Sequence, residues 1–229
     1  MKVAVLSDTH GLLREPVLKL VRTCDAVLHA GDLDSPEVME RLKTEKKPQA
    51  PFYAVRGNND RGWAEALPYT LRFSLGGRRF LMTHRKKDVP EELGDREIVI
   101  YGHSHRFACD SVNGRLWLNP GSCGKRRFRL ELTMAVLYLE EDGCRAERIE
   151  IPEEKEASGN PEADHTVEIS AVHIQKIMDL MDKGQRVDRI AGKLGLEAEL
   201  VEQICRIRVT HPGVSAQGIF DKMEAGGSV

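Results

Sequence analysis

The sequence predicts an α/β protein built on two β layers with helices outside them, followed by a small helical module. Three observations carry this. Over the first 65 residues, apolar runs alternate with helix-like segments, the pattern of β-α-β units and parallel strands. From about Leu71 the pattern changes to paired apolar runs around Gly-Gly and Asn-Gly, as in hairpins. Beyond residue 165, apolar positions recur three and four apart, the helical period.

Each element follows from its residues. Val3 to Leu6, Ala26 to His29 and Phe52 to Val55 are short apolar runs of the kind buried in a parallel sheet. Between them, Pro16 to Arg22 and Glu37 to Lys43 have amphipathic spacing and read as helices. LRFSL and RRFLM flank Gly76-Gly77, FACDSV and RLWL flank Asn113-Gly114, and MAVLYL with CRAERIEI flanks an acidic turn. The expectation is one mostly parallel and one mostly antiparallel layer. Pro152 to His165 has two prolines, a glycine and an acidic excess without apolar periodicity, and reads as a linker. After it, Val167 to Gly184, Arg186 to Gly195 and Glu197 to Val209 read as helices, two of them ending on glycine. The domain division is therefore 1–151, a linker at 152–165, and 166–229.

Composition excludes several classes. With 41% hydrophobic and 31% charged residues, no apolar run approaches the ~20 residues a bilayer span requires. The start, MKVAVLSDTH, lacks the apolar region of a secretory signal. Five scattered cysteines without a C-x-x-C pair read as reduced thiols, and the expected location is the cytoplasm. Net charge is -2, divided as +3 over residues 1–150, -4 over 151–165 and -1 over 166–229, which is not the balance of a strongly basic nucleic-acid surface.

Chemistry gathers where apolar runs end. Asp8 and His10 stand in SDTH, Asp32 in AGD, Asn58 in RGNND, His84 in LMTH, and His103 and His105 in GHSH. In open α/β sheets, ligands bind beyond the carboxyl ends of strands, so these loops can meet in one crevice. D-x-H and H-x-H on an extended segment aim both groups to one side. Gly31, Gly57 and Gly102 each precede a ligand, where close packing tolerates no side chain. Seven donors are too many for one ion. Imidazole, carboxylate and amide without thiolate suit two divalent transition metals, manganese first, with nickel, iron, cobalt or zinc as alternatives.

Six motifs in order, SDTH, AGD, GNND, THR, GHSH and NPGS, make the first two thirds of the chain resemble the calcineurin-like metallophosphoesterase superfamily, specifically its small prokaryotic phosphodiesterases. The resemblance implies a four-layer α/β/β/α sandwich. It also implies one metal on Asp8, His10, Asp32 and His105, and a second on Asp32, Asn58, His84 and His103, with Asp32 as the bridge. The implied activity is hydrolysis of a phosphodiester, a hydroxide bridging the metals attacking phosphorus in line.

Two positions depart from the family pattern. Asn59 stands where many members carry a histidine after the asparagine, and it cannot donate a proton as an acid, though it can hydrogen-bond a phosphate oxygen. Asn59 and Asp32 are the candidate catalytic residues, and aryl phosphodiesters are expected over alkyl monoesters. Arg85 to Lys87 replace the usual G-H after His84 and read first as a solvated loop face. His29, inside a strand, and Trp63 read as packing residues; His165, His173 and His211 have no ligand-like neighbours. Arg56 and Arg61 flank the asparagines, Asp60 is expected to orient a ligand or fix the turn, and Asn119 and Ser122 to form turns near the site.

The C-terminal segment imitates a helix-turn-helix about Gly195, but Glu197, Glu199 and Glu202 at the would-be recognition helix oppose phosphates. Dimerisation or partner docking is the preferred reading. The alternatives to an enzyme are a non-catalytic metal-binding scaffold and a DNA-associated regulator. The partners expected are a small phosphoester substrate, no membrane, and nucleic acid only through residues 166–229, with homo-oligomerisation left open.

Overall fold

The computed structural model describes residues 1–125, 130–152, 169–196 and 198–225. The chain divides into two compact units, Met1–Ala157 and Ser158–Val229.

The first unit contains β1 (Lys2–Leu6), α1 (Glu15–Val21), β2 (Ala26–His29), α2 (Pro36–Glu45), β3 (Phe52–Ala54), β4 (Thr70–Leu75), β5 (Arg78–Thr83), β6 (Ile98–Ile100), β7 (Phe107–Val112), β8 (Arg115–Pro120), β9 (Thr133–Leu139) and β10 (Cys144–Glu150). Pro16 and Pro36 stand in the first turns of the two helices, where a missing N–H costs nothing. Each five-stranded sheet is mixed: β10-β9-β1-β2-β3 in one and β4-β5-β6-β8-β7 in the other. This corrects the expected division into a mostly parallel and a mostly antiparallel layer. The reason lies in β9, almost wholly buried along its length, which needs an inner position in a sheet. It takes the free edge of β1, antiparallel, with Val3 opposite Leu137, and β10 closes that side.

Strand alternation divides the core. Val3, Val5 and Leu28 face the second sheet's Phe80, Met82, Ile98, Ile100 and Leu118. Tyr53, Phe73 and Phe80 form a run of stacked rings with centroids 4.2 and 4.9 Å apart. Ala4, Leu6 and Val27, on the opposite face, pack with Val17, Leu18, Val21, Val38 and Leu42 of α1 and α2. Outside the second sheet, the β5-to-β6 connection crosses by one 3-10 turn, Lys86–Asp88, so this outer layer is thin. There the Lys86 ammonium lies 5.5 and 5.8 Å from the Tyr101 and Trp117 ring centres. Phe80 is wholly buried between the sheets; Phe80→Ala is expected to cost about 3–5 kcal/mol in urea unfolding, and a loss under about 1 kcal/mol would deny it that role.

The parallel pairs position the site. β1, β2 and β3 run in one direction, as do β5, β6 and β8, so each set ends at one rim of its sheet. The loops carrying the candidate ligands leave from those ends.

The second unit contains α3 (Ala171–Asp182), α4 (Val187–Leu194), α5 (Ala198–Thr210) and α6 (Ala216–Ala225) around Ile174, Ile177, Ile190, Val201, Ile204 and Ile219. His173 completes a capping box with Ser170. Gly195, at φ 64°, ends α4 in the left-handed region. The sequence reading missed α6: His211-Pro212-Gly213 reads as a turn and Gly218 weakens the helical signal, while its buried Ile219 and Met223 are spaced four apart. Most of the expected linker, His165, Glu197 and the Glu199 side chain lie outside the described residues.

Candidate metal centre

Two loops run side by side beyond β1 and β2. The N–H groups of Asp8, His10 and Gly11 donate to the carbonyls of Gly31, Asp32 and Leu33 at 3.0, 3.1 and 2.8 Å, continuing the parallel pairing past the strands. Along this ladder the backbone is left-handed. Asp8, His10, Asp32, Asp34, His103 and His105 have φ between 46° and 72°, six of the seven non-glycine residues with positive φ among those described. Such residues cost about 1–3 kcal/mol each unless their surroundings hold them. The pairs two residues apart therefore converge through left-handed turns, and the extended geometry assumed from their spacing does not apply.

Two groups of donors result: Asp8, His10 and His105, and Asp32, His84 and His103, each with ligand atoms within 4.8 Å of one another. In the first, His10 Nε2 faces His105 Nε2 at 3.1 Å, and Asp8 Oδ1 lies 3.3 Å from His105 Nε2. The other nitrogen of His10, Nδ1, bonds the Asp34 carboxylate at 2.7 Å, an arrangement that puts the proton on Nδ1 and leaves Nε2 its lone pair. In the second, His84 Nδ1–H donates to the Ala30 carbonyl at 2.8 Å and Nε2 stands 3.2 Å from Asp32 Oδ2. Asp8 Oδ1 is buried without a hydrogen-bond partner, and His84 Nε2 is buried with only the Asp32 carboxylate beside it. Lone pairs gathered in this way away from water fit divalent cations, and little else satisfies them.

The electrostatics agree. Burial opposes ionisation of Asp8, yet His105 first, then His84 and His10, hold its carboxyl well below the ordinary value. Burial lowers the His84 imidazole, but Asp32, Asp8 and the Ala30 carbonyl together raise it to about 9, so at neutral pH a proton on Nε2 takes the place beside Asp32 that a divalent cation would fill. The field at this rim thus favours positive charge. Burial drives His29 down to about 3, so it stays neutral; Nδ1 accepts from the Gly31 N–H at 3.2 Å and the other nitrogen bonds Thr9 Oγ1 at 3.1 Å.

The remaining residues frame these groups. Asp60 accepts from the N–H groups of Asp32, Asp34 and Gly57 at 2.8–2.9 Å, tying the AGD loop to the GNND loop. Asn59 donates to Asp32 from its backbone N–H at 2.9 Å and from its side chain at 3.0 Å, so it braces that carboxylate. Gly57 and Gly102 are required by contact: a Cβ would stand 2.0 Å from Asp32 Oδ1 and 1.9 Å from Ser7 Oγ, respectively. Asn119 donates to the Gly102 carbonyl and Ser104, and Ser122 to the Asp8 carbonyl, so NPGS clamps two ligand loops together. Asn58 and His84 line a cleft of about 370 Å³ with Arg56, Arg61, Tyr69 and Arg85. Lys86 turns away onto the second sheet, and Trp63 packs against the core beneath α1 and α2. Sequence reasoning missed Asp34 and Thr9; the D-x-D of AGDLD was the available signal for Asp34.

The first unit is similar to known proteins. A profile of the calcineurin-like phosphoesterase superfamily domain matches residues 1–142. A probable metallophosphoesterase of Bacillus subtilis is 31% identical over 158 residues, 63% of this chain and 88% of that protein. A phosphodiesterase of Methanocaldococcus jannaschii is 27% identical over 144 residues, 54% and 84% of the two chains. Among solved structures, an archaeal phosphodiesterase is 25% identical with a TM-score of 0.53, covering 65% of this chain and 100% of that one. Vps29 of Entamoeba histolytica, solved with zinc, is 22% identical with a TM-score of 0.51 over 66% of this chain and 99% of that one, a likeness of fold alone.

Proposed function

The chain belongs to the calcineurin-like phosphoesterase superfamily, and on that premise we propose that its rim of seven donors is the two-metal centre of a phosphodiesterase. The observation that carries this reading is the facing of His10 Nε2 and His105 Nε2 beside the partnerless Asp8 Oδ1. One cation would be held by Asp8, His10 and His105, the other by His84, His103 and Asn58, with Asp32 shared. Bound there, divalent cations supply Lewis acidity and a water of lowered pKa for in-line displacement at phosphorus. Manganese suits the oxygen and imidazole donors.

The chain's own contribution is positioning. Asp34 and the Ala30 carbonyl fix the tautomers of His10 and His84, so their lone pairs point inward without reorganisation. Asn59 holds both oxygens of Asp32 and, being neutral, supplies neither an acid proton nor charge for a phosphate dianion. Diesters with good leaving groups follow as substrates. With manganese-loaded protein, kcat/KM for bis-p-nitrophenyl phosphate is expected to exceed that for p-nitrophenyl phosphate by about tenfold or more. Comparable values would remove the diester preference, and no turnover of either would remove the enzyme.

The unpaired cysteines support a cytoplasmic location, and no helix among the described residues is long and apolar enough to cross a membrane. For the second unit we favour partner docking over DNA binding, because Glu202 on α5 already engages Arg206. The full chain is expected not to retard duplex DNA at low salt; clear retardation would reverse that preference.

A further inference from the structure

The rim has two flanking clefts, and they differ in how their charged groups are engaged. On the His105 side, the cleft is lined by Arg106, Phe107, Glu131 and Arg148, and Arg148 is paired with Glu131 and Glu150. On the His84 side, three guanidinium groups line the cleft together with the carboxylates of Asp60 and Asp88. Arg56 donates through Nε to the Asp60 carbonyl at 2.8 Å and lies 5.2 Å from the centre of the Tyr69 ring, which holds it in place without neutralising it. Arg61 forms no ion pair among the described residues. Arg85 gives Nε to Asp88 at 2.7 Å, keeping the rest of its fork. The other acid in the wall, Asp60, is buried and occupied by three backbone N–H groups. The cleft therefore sets three guanidinium groups against two carboxylates, one held by backbone N–H groups and the other by Arg85, and keeps a net positive charge.

Guanidinium forks match phosphate oxygens bidentately, and a cleft of about 370 Å³ is the size of a small-molecule subsite. We propose that the cleft lined by Arg56, Arg61 and Arg85 binds a second phosphoryl group, so that the preferred substrate is a phosphodiester whose one substituent is itself phosphorylated. This inference rests on the phosphodiesterase reading for its placement beside the reacting phosphate. It explains why a solvated loop carries arginine immediately after His84: the side chain lines the cleft while its neighbour Lys86 turns away.

Two measurements test it. Calorimetry of inorganic pyrophosphate with the EDTA-treated full chain needs no metal and no turnover. The wild type is expected to bind, and Arg61→Ala to bind about tenfold more weakly, the scale of one charge-assisted hydrogen bond. Arg79→Ala, on an arginine paired with Asp95 and Glu97, serves as the remote control. With metal-loaded enzyme, the 5′-(p-nitrophenyl phosphate) of adenosine is compared with the same ester bearing a 3′-phosphate. The phosphorylated ester is expected to have kcat/KM about tenfold higher, mostly through KM, and Arg61→Ala to erase most of that ratio. A ratio near one, or pyrophosphate binding that is absent or unchanged in Arg61→Ala, overturns the proposal. If neither ester turns over, the phosphodiesterase reading fails, and the calorimetry still decides what the cleft binds.

Discussion

Asp32→Ala is expected to lower phosphodiesterase activity by at least about a thousandfold while the protein stays folded. The carboxylate is fully buried, stands 3.2 Å from His84 Nε2, and accepts two hydrogen bonds from Asn59. Its removal takes away the anion proposed to be shared between two cations and frees the Asn59 donors to rotate. Metal content by elemental analysis should fall from about two ions per chain to one or fewer. Far-UV dichroism should be unaltered, because the sheet core formed by Phe80, Ile98 and Leu118 lies apart from the rim. Retention of a tenth of wild-type activity, or of full metal content, would remove Asp32 from the centre of the mechanism. Lys43→Ala, on the exposed face of α2, provides the comparison that leaves activity alone.

Gly57→Ala is expected to be nearly as damaging by another route. A Cβ at this position would lie 2.0 Å from Asp32 Oδ1 and 2.2 Å from its backbone nitrogen; the first contact displaces the carboxylate, and the second cannot be relieved by rotating any side chain. The clash must move the GNND loop away from the AGD loop, and with it the Asp60 bridge that binds the N–H groups of Asp32, Asp34 and Gly57. The expected loss is about 3 kcal/mol or more in urea unfolding of metal-free protein, within the range for overpacking plus a broken buried network. Gly62→Ala is the informative contrast: its Cβ would meet nothing within 4 Å, and only its positive φ of 54° opposes the change. Equal stability for Gly57→Ala and the wild type would mean that the two loops do not need this approach.

Local patterns in the chain were enough to determine the kinds of element and the kinds of donor. Apolar runs of four to six residues bounded by turn residues marked β1, β2, β5 and the Asn-Gly hairpin β7–β8 to within a residue or two, because burial and turn chemistry act over neighbouring positions. Asp8, His10, Asp32, Asn58, His84, His103 and His105 were legible for the same reason: each stands just past such a run. What only the tertiary structure decided depends on contacts distant in sequence. His10 and His105 are 95 residues apart and meet at 3.1 Å because parallel strands in two different sheets end at one rim. The left-handed backbone at Asp8, His10, Asp32, His103 and His105 and the carboxylate of Asp34 on His10 belong to that convergence, and the pairing of β9 with β1 follows from the burial of β9. No period in the sequence encodes them, since a backbone conformation that is unfavourable alone is chosen only when several loops hold it at once.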